Sequence, residues 1–252
     1  MILRIVYLFI YLLILQIIKI LNYFFNHSTN TENFQSTKDF EGLDGIIYIN
    51  LDNRPDRKNS ITTEINKIFG DSQIPIERIS ATYIPKNGHK GCAHSHYTAI
   101  NKARELKWKT VLIFEDDFHF TSESSKSQIN NLFKTIQQLP EWKVILLTGV
   151  GGKSEKTEYN GLHKITSGYL TTSAYIVNLN YYNHLIYLFY KSYLSMSSDK
   201  TSIKNYEPNA IDQLWAKVQT QEKGWYIIDP IIGEQNNQLL STIQSQTNYS
   251  GE

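Results

Sequence analysis

The stretch Thr110-Val111-Leu112-Ile113-Phe114 is apolar on both sides and passes directly into Glu115-Asp116-Asp117. A strand of this kind has to be covered on both faces, which places it inside a layered domain. Shorter runs repeat the theme: Ile46 to Ile49, Ile76 to Ala81 and Val144 to Leu147 read as further strands. Between them lie helical patterns. Ile61, Ile65, Ile68 and Phe69 recur at helical spacing after Pro55 and stop at Gly70. Gly91 to Leu106 carries a stripe through Tyr97, Ile100 and Ala103, and Ile129 to Leu139 is helical. Such alternation predicts an α/β fold, a Rossmann-like and mostly parallel sheet with helices on both faces. Ligands of such sheets bind at the carboxyl ends of the strands.

With 252 residues, the chain has room for one compact domain plus appendages. Its 25 basic and 24 acidic residues leave a net charge of +1. Lysines and arginines are scattered, so no basic face is built for nucleic acid, and none is expected as a partner. Cys92 is the sole cysteine, which excludes an intrachain disulfide. Ile2 to Phe25 is nearly all apolar, and about 20 apolar residues suffice to cross a bilayer as a helix. The expectation is a membrane anchor over residues 1–25, of single-pass type II signal-anchor form. Arg4 on the short side favours a cytoplasmic N-terminus, with the catalytic domain lumenal or extracytoplasmic. A cleaved signal peptide is the competing reading, but no small-x-small site follows the apolar run. Residues 26–43 are polar and aperiodic and read as a stem, residues 44–243 as the folded domain, and residues 244–252 as a C-terminal tail.

Three acidic side chains at the end of a buried strand repel one another and gain nothing structurally. Their natural compensation is a hard divalent cation, manganese or magnesium, with Glu115 and Asp117 as ligands and Asp116 beside them. A solvated acidic turn is the alternative. Arg54 and Arg57 follow the first strand, in a chain with five arginines and twenty lysines, and the choice of arginine suggests bidentate work on a phosphate, base or carboxylate. Surface pairing with Asp52 or Asp56 is the competing reading. His89, His94 and His96 gather around Cys92, and a zinc site is conceivable there, but residues two apart on a helix do not share a face, which argues against it. A helix start with Ser95 or His96 facing a ligand fits better. Cys92 itself reads as a small buried filler rather than a nucleophile.

Three segments occur in order: Ile-Asn-Leu-Asp-x-Arg-Pro-Asp-Arg over 49–57, Gly-Cys-Ala-x-Ser-His over 91–96, and Leu-Ile-Phe-Glu-Asp-Asp over 112–117. Together they resemble glycosyltransferase family 25, which includes bacterial lipooligosaccharide galactosyltransferases and animal procollagen galactosyltransferases. Beyond Gly149 only Ser173 to Ile176, Ile211 to Trp215 and Gln235 to Ile243 extend the likeness. The resemblance implies an A-type glycosyltransferase fold, a UDP-sugar donor (most often UDP-galactose), manganese, and inversion at the anomeric carbon. The acceptor would be a hydroxyl on a glycan or protein. It also implies that Asp56, Arg57, Ser95, His96, Glu115, Asp116 and Asp117 surround the donor, with Arg54 helping to seat the nucleotide. An inverting displacement needs a base for the acceptor proton, and Asp212, in the family's Asp-x-x-Trp marker, is the candidate. A first-turn carboxylate favoured by the helix dipole is the plainer account of Asp212. The chain departs from the family pattern at Asn53, His89 and Thr242. Two other functions stay open: a sugar-nucleotide-binding module of reduced activity, and a metal-dependent nucleotide-diphosphate hydrolase.

Overall fold

The computed structural model describes residues 39–198, 207–236, 238 and 239, together with Gln16 and Lys19. The chain divides into two units, Met1–Lys38 and Asp39–Glu252. In the first, Gln16 and Lys19 are helical and exposed. The anchor expected over residues 1–25 and the tail over 244–252 otherwise lie outside the described residues, as does Thr242. Among the described residues no helix is long and apolar enough to cross a membrane.

The second unit is built on an eight-stranded sheet. Its strands are β1 (Gly45–Asn50), β2 (Ile76–Ser80), β3 (Thr110–Glu115), β5 (Val144–Leu146), β6 (Lys153–Lys156), β7 (Leu162–Ser167), β8 (Ala174–Asn178) and β9 (Trp225–Ile228), in the order β2-β1-β3-β8-β5-β9-β7-β6. β4 (Phe118–Phe120) and β10 (Gly233–Gln235) form a separate antiparallel pair. Among the described residues of this unit, five α-helices accompany them: α1 (Pro55–Phe69), α2 (Gly88–Glu105), α3 (Ser125–Ile136), α4 (Tyr182–Ser195) and α5 (Ile211–Gln221).

The expectation of a mostly parallel sheet holds for strand direction, which six of the eight strands share, while the neighbouring pairs are mixed. β2, β1 and β3 are mutually parallel and β5 runs parallel to β9, but β8 is antiparallel to both its neighbours, β3 and β5. β7 is antiparallel to β9 and to β6. Most strands therefore share one direction, while the adjacent pairings are mixed. The half of the sheet built from the first three strands is the part with strand–helix–strand crossovers, which force parallel neighbours. Of the later strands, β7 and β8 run the other way, while β5, β6 and β9 keep the direction of the first three.

Strand alternation sends Ile46, Tyr48, Leu112 and Phe114 to one face, where they pack with Ile61 and Ile65 of α1 and Ile129 and Phe133 of α3. Ile47, Ile49, Val111 and Ile113 go to the other face, against Ala99, Ile100 and Ala103 of α2 and Leu185 and Phe189 of α4. Pro55 opens α1 where a backbone N–H would be orphaned in any case. α2 starts one turn earlier than its apolar stripe suggests, because Asn87 caps it by accepting from the Lys90 N–H.

The folded unit also reaches further toward the N-terminus than expected. Phe40 is 3% exposed and its ring meets Phe69 at 4.6 Å, and Leu43 joins the same core. The end of the polar 26–43 stretch thus belongs to the domain, which begins at Asp39 rather than residue 44. Two apolar residues among polar ones carry too little periodicity to be read as packed.

Candidate active site

β1, β2 and β3 lie side by side and end together, and Ile49 faces Glu115 in register. A pocket opens at this edge. Its walls come from Ile49 to Leu51, from the 81–84 loop after β2, from Gly88, Cys92, Ser95 and His96 on α2, and from Glu115 to Asp117, with Gln235 of β10. α2 can approach the 81–84 loop because residue 91 is glycine: a Cβ there would sit 2.3 Å from the Thr82 carbonyl oxygen. Ser95 makes this contact firm. Its hydroxyl donates to the Gly91 carbonyl at 2.7 Å and accepts from the Thr82 N–H at 2.8 Å.

The acidic cluster is held by one arginine. Arg57, 7% exposed, reaches Asp116 Oδ1 through Nη1 at 2.8 Å and Asp117 Oδ2 through Nη2 at 2.5 Å. Asn50 donates to the other oxygen of Asp116 at 2.7 Å and in turn accepts from Arg78. Asp117 Oδ1 is buried and has no hydrogen-bond partner among the described residues, nor does Arg57 Nε. Burial, followed by the negative charge of Glu115, pushes the Asp117 carboxyl up to about 7, although Arg57 pulls it back. Burial also raises Asp116, again against Arg57.

Glu115 behaves oppositely. Burial acts to raise it, but hydrogen bonding to His96 and Thr172 and the charges of His96 and Arg57 outweigh this and hold it below its ordinary value. Thr172 Oγ1 donates to Glu115 Oε1 at 2.6 Å, and His96 Nε2 lies 3.2 Å from the same oxygen. His96 Nδ1 meets the Tyr175 hydroxyl at 2.8 Å.

Arg57, Ser95, His96, Glu115, Asp116 and Asp117 thus come together in one pocket. Arg54, Asp56 and Asp212 are not among its walls. Arg54 grips Asp56 through Nε at 3.0 Å and Nη2 at 2.7 Å, and the Asp56 side chain is 52% exposed. Arg57 pairs with the carboxylates of Asp116 and Asp117. Asp212, in the first turn of α5, is raised by burial, with the backbone N–H of Gln213, the charge of His89 and the backbone N–H of Thr171 lowering it. The His89 imidazole is lowered, first by burial, while Asp212 and Glu207 act to raise it, and its Nε2 is buried with no partner among the described residues. His94 diverges from His96, as their spacing requires: it pairs with Thr82 Oγ1 at 2.7 Å and lies against Tyr97 and Tyr193.

Asn50, Arg78, Thr172 and Tyr175 were not legible as site residues. Arg78 carried one signal, being another of the five arginines. It binds Asp52 at 2.6 Å and the Asn50 carbonyl at 3.1 Å. Thr172 and Tyr175 reach the site only because β8 inserts beside β3.

The metal expected from the resemblance fits the orphaned Asp117 Oδ1. A buried carboxylate oxygen without a donor beside a second carboxylate is what a hard cation satisfies.

Residues 86–202 match the family model described as glycosyltransferase family 25 (LPS biosynthesis protein), which makes the chain a glycosyltransferase. No curated protein sequence matches it. Among solved structures it is similar to a glycosyltransferase involved in the glycosylation of the major capsid of PBCV-1, at 11% identity and TM-score 0.45, covering 75% of this chain and 82% of that one. A UDP-glucose pyrophosphorylase complexed with UDP-glucose follows at 10% identity and TM-score 0.44, covering 81% and 80%. Mannose-1-phosphate geranyltransferase from Thermus thermophilus aligns at 6% identity and TM-score 0.42, covering 74% and 73%. These structural likenesses are too loose to bear on substrate or mechanism.

Proposed function

We propose that this glycosyltransferase is an inverting, metal-dependent enzyme of A type. It moves a sugar, galactose by its family resemblance, from a UDP-sugar to a hydroxyl on a glycan or protein. The observation that carries the reading is the buried, partnerless Asp117 Oδ1, at a strand end and on a pocket wall. Asp117, with Glu115 beside it, would hold manganese or magnesium. Such an ion, when bound, offsets charge on a leaving diphosphate. Arg57 holds Asp116 and Asp117 in place, so that the carboxylates are aimed before any ligand arrives. The 49–51 and 81–84 segments form the side of the pocket suited to the nucleoside. Asp212 takes the acceptor proton. Its raised carboxyl moves toward the range in which a base works near neutrality.

The test is a donor screen on the purified chain with manganese, reading free UDP from a panel of UDP-sugars with UDP and GDP as controls. Release from UDP-galactose that rises with acceptor is the expected result. Asp117→Asn should then cost several kcal/mol in the barrier, on the order of a thousandfold in rate, with its melting temperature kept. Full activity in excess chelator, or an unchanged mutant, removes the metal mechanism. Cleavage of UDP and GDP without a sugar points to a hydrolase instead.

We also infer that residues 1–25 hold the enzyme at a membrane. Full-length protein should then resist carbonate washing, and a soluble product starting near Asn26 would show cleavage.

A further inference from the structure

Cys92 and His96 stand one helical turn apart on α2 and so project from the same side of the helix. Glu115 faces them from the end of β3. One donor atom from each, a thiol sulfur, an imidazole nitrogen and a carboxylate oxygen, lies within 4.8 Å of the other two. Ligands on a tetrahedral zinc ion, with bonds of about 2.0–2.3 Å, are separated by roughly 3.3–3.8 Å. Small side-chain movements close the difference, and His96 Nε2 is already 3.2 Å from Glu115 Oε1. The surroundings have the form of an outer ligand shell. The Tyr175 hydroxyl engages His96 Nδ1 at 2.8 Å, which leaves Nε2 aimed at the cluster, and Thr172 anchors Glu115 at 2.6 Å. All three residues also line the pocket, so a fourth coordination position faces its interior.

We propose that Cys92, His96 and Glu115 form a three-ligand site for a thiophilic divalent cation of the zinc class. The site differs in chemistry from the all-oxygen position at Asp117, which suits a hard ion, and shares with it only Glu115. On binding, Cys92 gives its thiol proton to solvent and forms the sulfur–metal bond. His96 binds through Nε2, with a proton on Nδ1 directed at the Tyr175 oxygen, and Glu115 binds as the carboxylate. The histidine spacing alone conceals this site, because its partners are one cysteine a turn away and one strand residue.

Cobalt(II) titration of the purified full chain, in a phosphine reductant and without any nucleotide sugar, tests it. The expected result is a near-ultraviolet thiolate-to-cobalt band that zinc erases. Cys92 is the only cysteine, so the band has a single possible source. His96→Gln should weaken cobalt binding by at least about tenfold, since a ligand matters no less than the outer-shell groups worth roughly 10–100-fold. A wild-type chain without the band, or a band of equal affinity in His96→Gln, overturns the assignment. No donor or acceptor is present, so this outcome is separate from that of the transfer assay.

Discussion

Arg57 is what allows two aspartates and a glutamate to stand together in a buried pocket. Its guanidinium spans Asp116 and Asp117 at once, a geometry that a lysine ammonium cannot reproduce. The arrangement satisfies three carboxylate oxygens around it and leaves Asp117 Oδ1 over. Asp212 poses the opposite case, a half-buried carboxylate without an arginine, set against His89. If it is the base, Asp212→Asn should bind UDP-sugar and manganese as the parent does and lose transfer by roughly 10²-fold or more. Equilibrium binding alongside initial rates checks this. Normal transfer, or a loss confined to melting temperature, would leave Asp212 as a first-turn residue favoured by the helix dipole.

At the scale of elements, α2 decides the shape of the pocket. Its buried side is Gly91, Ala93, Ser95, Ala99 and Ala103 around His96 and Ile100, a face of small residues that lets the helix lie close to strands and loop. In an ordinary helix Gly→Ala would stabilise by about 1 kcal/mol. Here the new Cβ would meet the backbone carbonyl of Thr82, so Gly91→Ala should instead destabilise by about 1–3 kcal/mol and raise the donor KM. Urea unfolding gives the sign. At the end of α5, Glu222 accepts from Lys143 at 2.7 Å and from Tyr181 at 2.9 Å, joining the helix to the start of β5 and the turn before α4. Burial would raise Glu222, but Lys143, Tyr181 and the charge of His184 hold it below its ordinary 4.5. A depressed carboxylate contributes stability above its unfolded pKa, and that contribution fades as pH falls through the folded one. Glu222→Gln should therefore melt below the parent at neutral pH, with the gap closing below pH 4.5. Parallel melts across that range measure it.

The unit from Asp39 onward is a two-faced sheet closed by helices, and its boundary is drawn by packing rather than by composition. Phe40 fills a space against Phe69, and its N–H donates to Asn130 at 2.8 Å. Phe40→Ala should cost about 3–5 kcal/mol, as for other buried phenylalanines. Denaturant unfolding of the variant, beside truncations starting at Asp39 and at residue 44, decides where the domain begins. Equal stability of the two truncations would restore the later boundary.

The first half of the domain was legible because its signals are local. β1, β3, α1 and the acidic strand end declare themselves through apolar runs, a proline at a helix start and charges that follow a buried strand. The metal candidates Glu115 and Asp117 came from the same signals, as did the divergence of His94 from His96. What the sequence could not disclose depended on who meets whom. Arg57 and Arg54 look equivalent along the chain, yet one is buried under two aspartates and the other lies against exposed Asp56. β8 is a short apolar run like the others, and its antiparallel place between β3 and β5 is what brings Thr172 and Tyr175 to Glu115 and His96. Periodicity and propensity act within a few residues and so can be read in order. Register, strand direction and the pairing of buried charges are set by the simultaneous burial of distant segments, and only the folded chain contains that information.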